Sequence, residues 1–384
     1  MGISSLAPVT VAGAFIVGLI LVLLGYLRPL LLKRLQAPEV QVDWLIAALN
    51  ITLIPFMLLG GLLIDRIGVR QIFLLGSFLM AAGIFVLASS KNPRQFLIAI
   101  LVTGAGGACL SNSTSVLMLS AFFPDYPAAS QNLGNVFFAL GALSAPALAS
   151  QLTIGLDYRR TLSVTAIICL LPALLAVFTQ PGAFPPQDGQ AQPRIVLDEP
   201  ILWLCALVFI IYGPLEDSVS IWAPRYLEDI GFRQWRATGL LACFWLSFLA
   251  GRLMTALLFG HVLTDYLAVW YIVLLGVIAG VVMGNLVGAR NKVSAGIGIA
   301  IAGLAFGPIF PTLAGVLFAN FRAQPGTAFG AMFAAGALGK LVLPPLIASY
   351  SRQRTVRQTM HVPVVMALAM ALAGIVLALY PHLR

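Results

Sequence analysis

The chain has 384 residues, 60% of them hydrophobic and only 9% charged, with a mean hydropathy of +0.99 and a net charge of +9. Soluble domains carry about 25% charged residues, so this composition excludes a soluble enzyme, a disordered chain and an ordinary nucleic-acid binder. The basic excess is scattered over short loops without a continuous patch, which suits a membrane surface or an anionic solute better than nucleic acid.

A helix needs roughly 20 apolar residues to cross about 30 Å of hydrocarbon. In chain order, the apolar runs and their breakers predict spans near 9–32, 43–64, 71–90, 95–122, 129–152 and 161–179, then near 201–227, 235–259, 267–288, 293–319, 326–349 and 359–380. The first run continues without an A-x-A cleavage site, so it reads as a retained span rather than a signal peptide. Lipid cannot satisfy exposed backbone groups and no ten-residue alternation suggests a barrel, so the spans are helices. The longest polar, proline-rich stretch, Gln180–Pro200, follows the sixth run and includes Pro181, Pro185, Pro186, Asp188, Gln190 and Gln192. The expected organisation is an all-α membrane protein: a six-helix bundle over residues 1–179, a linker over 180–200 and a second six-helix bundle over 201–384. Two such bundles rock around a central site in many transporters.

Gly104, Gly106 and Gly107 in the fourth span match Gly296, Gly298, Gly303 and Gly307 in the tenth, either for close helix packing or for flexing. Cys109, Cys169, Cys205 and Cys243 all fall in apolar runs without CxxC spacing and read as small buried hydrophobes. His261, His361 and His382 are scattered and offer no metal cluster. No cofactor motif, ATP site or enzyme constellation is visible: there is no G-x-S-x-G, no Walker loop and no H-E-x-x-H.

The turn after the second span reads Gly61-Leu62-Leu63-Ile64-Asp65-Arg66-Ile67-Gly68-Val69-Arg70. It resembles the G-x-L-x-D-R-x-G-x-R loop of the major facilitator superfamily. Residues Gln131 to Pro146, Tyr212 to Leu227, Gly251-Arg252 and Phe306 to Leu313 resemble the fifth, seventh, eighth and tenth helices of its fucose/galactose:proton symporter group. The resemblance implies the two-bundle fold and a secondary transporter. It makes Gly61, Asp65, Arg66, Gly68 and Arg70 a conformational latch, with Asp65 accepting from a neighbouring helix end or an arginine. It also implies an integral protein of the cell membrane with both termini cytoplasmic. The chain departs from the group in four places. Asn135 stands where the group often has histidine, the first span has no acidic residue, the fourth has no carboxylate between Arg94 and Phe123, and Lys340 replaces a small residue.

Ionisable groups inside a bilayer are expensive and therefore candidates for function. Arg28, Glu216, Asp217, Arg252 and Lys340 qualify. Glu216 and Lys340 lie at nearly the same depth of the seventh and eleventh spans and are expected to face each other. Glu216 or Asp217 is the coupling candidate. Because the two are adjacent, about 100° apart on a helix, only one is expected to face the site. Arg28 either snorkels or binds an anion, and Arg252 is expected to bond helix ends or acids more than solute.

Asn112, in the polar run Ser111–Ser115, and Asn132 and Asn135, which share a helix face, can hydrogen-bond a small solute or simply neighbouring helices. Tyr212, Trp222 and Trp245 can stack on a ring or pack.

Under the family orientation fourteen of the 22 basic residues lie outside and five inside, the reverse of the usual bias. The expected function is secondary active transport of a small polar, sugar-like solute by alternating access, coupled to a proton or sodium ion. The alternatives are an organic anion held by Arg28 and Lys340, and a non-transporting receptor of the same fold.

Overall fold

Among the described residues, twelve helices are long and apolar enough to cross a membrane. They appear in a computed structural model that describes residues 4–35, 38–153, 158–185, 193–229, 231–288, 292–352 and 354–380. In chain order the spans are Ala7–Tyr26, Glu39–Ile67, Val69–Ser89, Pro93–Ala121, Pro127–Gln151, Tyr158–Phe178, Pro200–Asp229, Gly239–Phe259, Asp265–Gly288, Lys292–Asn320, Pro325–Ser351 and Val356–Ala378. No strand occurs among the described residues. Cys109, Cys169 and Cys205 are buried free thiols, and no group of metal ligands forms among the described residues. Of the expected linker, residues 186–192 lie outside the described residues.

Proline corrects the expected boundaries in two places. The first span stops at Tyr26, not near residue 32, and a separate short helix, Arg28–Leu35, follows. Pro29 has no N–H to return to the carbonyl four residues back, so the ladder breaks there. The sixth span is likewise interrupted between Ile168 and Leu171, just before Pro172. The eighth span ends in a wider turn over Thr255–Phe259, closed by Gly260 N–H donating to the Thr255 carbonyl at 2.6 Å.

The chain forms two compact units: Met1–Pro124, Gly134–Val196 and Phe321–Ala334 make unit 1, while Asp125–Leu133, Leu197–Asn320 and Ala335–Arg384 make unit 2. The start of span 11 therefore belongs to unit 1, and the start of span 5 to unit 2. Inside unit 1, Gly61 and Gly326 approach backbone to backbone. Inside unit 2, Gly315 lies against the backbone of Ala128, and Tyr126 meets His261 edge-on at 4.9 Å.

Without a hydrophobic drive between helices in lipid, small residues that let backbones meet do much of the packing. In unit 1, a Cβ on Gly18 would strike the Phe138 carbonyl, and one on Gly141 would strike the Phe15 carbonyl. Spans 1 and 5 thus cross through a reciprocal glycine pair. Gly106 similarly meets Met80 and Gly76 of span 3, and in unit 2 Gly303 and Gly307 meet the Phe244 and Phe248 carbonyls. Gly141→Val is expected to force spans 1 and 5 apart, with a loss of thermal stability in detergent. Gly25→Ala, where nothing lies within 4 Å, is the neutral control.

Candidate functional site

The polar centre of unit 2 starts from two helices that proline weakens. Span 7 carries Pro214 in its middle, and span 10 breaks at Gly307-Pro308. In an α-helix the Gly307 carbonyl is served by the N–H four residues on, but that residue is Pro311 and has none. Arg252 of span 8 supplies the missing donor, its Nε lying 2.9 Å from the Gly307 oxygen. The Arg252 side chain is buried, and its guanidinium lies over the Phe248 ring, 4.4 Å from the centroid. From the other side the fully buried Tyr212 hydroxyl donates to the Phe306 carbonyl at 2.9 Å. The broken helix is therefore held by two side chains at consecutive carbonyls. Arg252 takes the helix-end role its position suggests.

Beside this brace lies the ionic pair. Lys340 Nζ is 3.2 Å from Asp217 Oδ1, and the two side chains keep 39% and 41% of their surface accessible. The lysine stem runs over Gly213, where a Cβ would collide with Lys340 Cε. This corrects the expected pairing: Lys340 bonds Asp217 directly rather than Glu216. Depth was matched as expected, but the stem reaches past Gly213 to the next residue round the helix. Glu216 is half-buried and meets the Tyr212 hydroxyl. Both acids therefore take part in the cluster, where only one was expected to. Ser218 is spent locally, donating to the Pro214 carbonyl at 2.7 Å. Phe209 stacks on Phe310 at 4.8 Å, and Trp245 joins Phe244 and Phe248 in an aromatic cluster.

The remaining candidates lie elsewhere. The side chain of Trp222 lies outside the described residues. Arg28 heads the short helix after span 1 and pairs with Glu39 at 3.3 Å, with 38% and 75% of the two side chains accessible. Such exposed pairs contribute about 0–1 kcal/mol.

Asn132 donates to the Ala128 carbonyl at 2.9 Å and to Thr312 Oγ1 at 3.0 Å, within unit 2. In unit 1, Asn112 donates to the Met57 carbonyl at 3.1 Å and to the Gly326 carbonyl at 3.5 Å. Both amides are fully buried, and the Oδ1 of each has no hydrogen-bond partner. Asn135 is buried in unit 1, with its amide nitrogen 4.0 Å from Met118 Sδ. Thr312 and Gly326 went unmarked in the sequence because the bonds to them cross more than a hundred residues.

The glycine-rich turn gathers most of its expected members. Asp65 accepts from Gly326 N–H at 3.0 Å and from Thr327 N–H at 2.6 Å, capping the N-terminus of span 11. Gly61 makes that approach possible, as above. Gly68 has φ 118°, a conformation suited to glycine, and separates spans 2 and 3. Arg70 donates to the carbonyls of Ala176 and Val177, each at 3.2 Å, and lies over Phe184. Arg66 is exposed. Asp65→Ala is expected to cost about 1 kcal/mol, the usual worth of a cap. Its melting temperature should fall by about 1 °C, with Asp65→Asn in between.

The model of the Major Facilitator Superfamily matches residues 10–344. The chain belongs to that superfamily. Among its curated relatives is the 3-(3-hydroxy-phenyl)propionate transporter of Escherichia coli (strain K12), 27% identical over 56% of this chain and 55% of that protein. The probable nitrate/nitrite antiporter NarK1 of Thermus thermophilus is 26% identical over 52% of this chain and 48% of that one. The chain spans about half the length of the curated relatives it matches. The crystal structure of the superfamily transporter FucP in the outward conformation shares the fold, with TM-score 0.78 and 15% identity over 96% of this chain and 97% of that one. The site is therefore that of a Major Facilitator Superfamily chain with twelve candidate membrane spans among the described residues.

Proposed function

We propose that this chain is a secondary transporter of a small organic anion, working by alternating access, in which Lys340 meets the anionic group of the solute. The observation that carries the reading is the Lys340–Asp217 pair at 3.2 Å, set in mid-span yet about 40% accessible on both sides. A carboxylate arriving there takes over the charge-assisted bond from Asp217, exchanging one anionic partner for another at little cost. Tyr212 and Glu216 complete the contact region, and Arg252 holds it in shape. Two relatives are named for anions, a propionate and nitrate/nitrite. In the family orientation a basic outer mouth also concentrates anions.

A neutral sugar is the second reading. It draws on Asn132 of unit 2, whose buried, unpartnered Oδ1 can accept from a hydroxyl group. Uptake of radiolabelled 3-(3-hydroxy-phenyl)propionate, lactate and gluconate into proteoliposomes, with competition by fucose and glucose, separates the two. Uptake of an acid that sugars do not inhibit supports the anion. Uptake of labelled fucose that acids do not inhibit overturns it in favour of the sugar. Binding without flux or exchange points to a receptor.

The family orientation places Lys91 outside and Gly182 inside. In a variant lacking the native cysteines, an impermeant maleimide applied to sealed cells is expected to label Lys91→Cys and not Gly182→Cys. The opposite pattern inverts the protein.

A further inference from the structure

Within unit 2, spans 7 and 11 meet along a seam of glycines. A Cβ on Gly339 would strike the Ile210 carbonyl, and one on Gly213 would meet the stem of Lys340. This close approach sets two opposite charges side by side, Lys340 Nζ on span 11 and Asp217 Oδ1 on span 7, 3.2 Å apart. Glu216, the preceding residue, meets the Tyr212 hydroxyl instead. Both members of the pair can take a second partner. An ammonium has three donors and a carboxylate about four acceptor sites, and one bond joins the two here. With 39% and 41% of their surface accessible in mid-span, they can be reached together from one side. That side opens to water, because hydrocarbon would not solvate an ion pair.

A solute that brings only a carboxylate meets both charges at once. It gains Lys340 but is set beside the like charge of Asp217, and Asp217 loses the share of the lysine that the solute takes. A solute that brings an ammonium as well removes both costs. From this we infer that the carboxylate received by Lys340 carries an ammonium group beside it, held by Asp217. The chain then transports α-amino carboxylates in preference to acids without an amine. The inference rests on the reading above that Lys340 meets the anionic group of the solute, and it narrows the class of that solute.

The spacing selects the α-amino position. Standard N–Cα, Cα–C and C=O bond lengths place an α-ammonium nitrogen about 3 Å from the nearer oxygen of its own carboxylate. That matches the 3.2 Å between Lys340 Nζ and Asp217 Oδ1. Laid antiparallel on the pair, the solute carboxylate accepts from Lys340 and the solute ammonium donates to Asp217. Four charges then alternate in sign, and each has an opposite charge on either side. Asp217 exchanges part of its lysine for the solute's ammonium rather than losing a partner. The same carboxylate repels a solute that lacks the amine, so one residue both attracts the right solute and discriminates against the wrong one. No covalent bond is made or broken.

The test is counterflow into proteoliposomes of the purified full chain at pH 7, without imposed gradients. The probes are labelled solutes paired so that only an amine or a hydroxyl differs: aspartate and malate, alanine and lactate, phenylalanine and 3-phenyllactate. At that pH the carboxylates are ionised and the amines protonated. In at least one pair the amino member is expected to half-saturate exchange at a concentration about ten-fold or more below its hydroxy partner, the worth of one charge-assisted bond. Hydroxy acids that exchange as well as their amino partners, or gluconate or 3-(3-hydroxy-phenyl)propionate exchanging where no amino acid does, overturn the inference and leave the anion reading standing. If no acid of either kind exchanges, the reading at Lys340 fails and takes the inference with it. Asp217→Asn keeps an acceptor for Lys340 but removes the charge that draws the ammonium. It is expected to bring the amino and hydroxy members to similar half-saturation, with exchange of the hydroxy acid showing that the variant is folded. A preference for the amine that survives in Asp217→Asn places the ammonium elsewhere and overturns the assignment. Should Asp217→Asn exchange neither member, Asp217→Glu, which returns the charge, must restore the preference for the amine, and its failure to do so overturns the assignment equally.

Discussion

Lys340→Ala is expected to reduce initial uptake by about ten-fold or more, because the lost charge-assisted contact to the solute is worth about 1.5–3 kcal/mol. It is also expected to destabilise the fold, since Asp217 loses its partner in mid-span. Removing one member of a fully buried pair costs about 3–5 kcal/mol. With 39% and 41% of the two side chains accessible, about 1–3 kcal/mol is the discounted figure. The double variant Lys340→Ala/Asp217→Ala separates the two losses. Stability in a thermal melt returns because no unpaired charge remains, while uptake stays low. Near-wild-type uptake by Lys340→Ala would remove the lysine from the solute's path.

Arg252→Leu carries the second large effect, and it acts through span 10. The Gly307 carbonyl has no N–H to turn to, because residue 311 is proline. Its oxygen is left buried and unpaired, at about 1–3 kcal/mol. The contact of the guanidinium with Phe248, 4.4 Å from the ring centroid, adds about 0.5–2 kcal/mol. A fall in melting temperature of roughly 2–6 °C follows for a chain of this size. Arg252→Lys keeps the charge but not the planar Nε donor, so it should recover little of that loss. A melt unchanged in Arg252→Leu would show that another group serves the Gly307 carbonyl.

Different physical rules made different parts of this molecule legible in the sequence. The spans could be read because hydrocarbon thickness sets a minimum run length, and that rule works locally. The Asp65 turn could be read as a motif, but its acceptor role at Gly326 and Thr327 joins residues more than 200 positions apart, which no local pattern marks. Rise per residue put Lys340 level with the seventh-span acids and left their azimuth open, so Asp217 rather than Glu216 emerged as the bonded partner. The brace on span 10 was readable in principle: Gly307 followed by Pro311 announces an unserved carbonyl, and Arg252 is a mid-span donor. The amides of Asn112 and Asn132 had two uses open to them, and the structure places their N–H groups on neighbouring helices. Arg28 lies beyond the first span, because Pro29 ends that helix early.

The start of span 11 belongs to unit 1, although it is made long after the Asp65 turn that it covers. During synthesis the early helices enter the bilayer while Gly61 and Asp65 still lack Gly326 and Thr327, so that surface is left uncovered until some 260 further residues have emerged. Final consolidation of unit 1 must then wait until the eleventh span has been made.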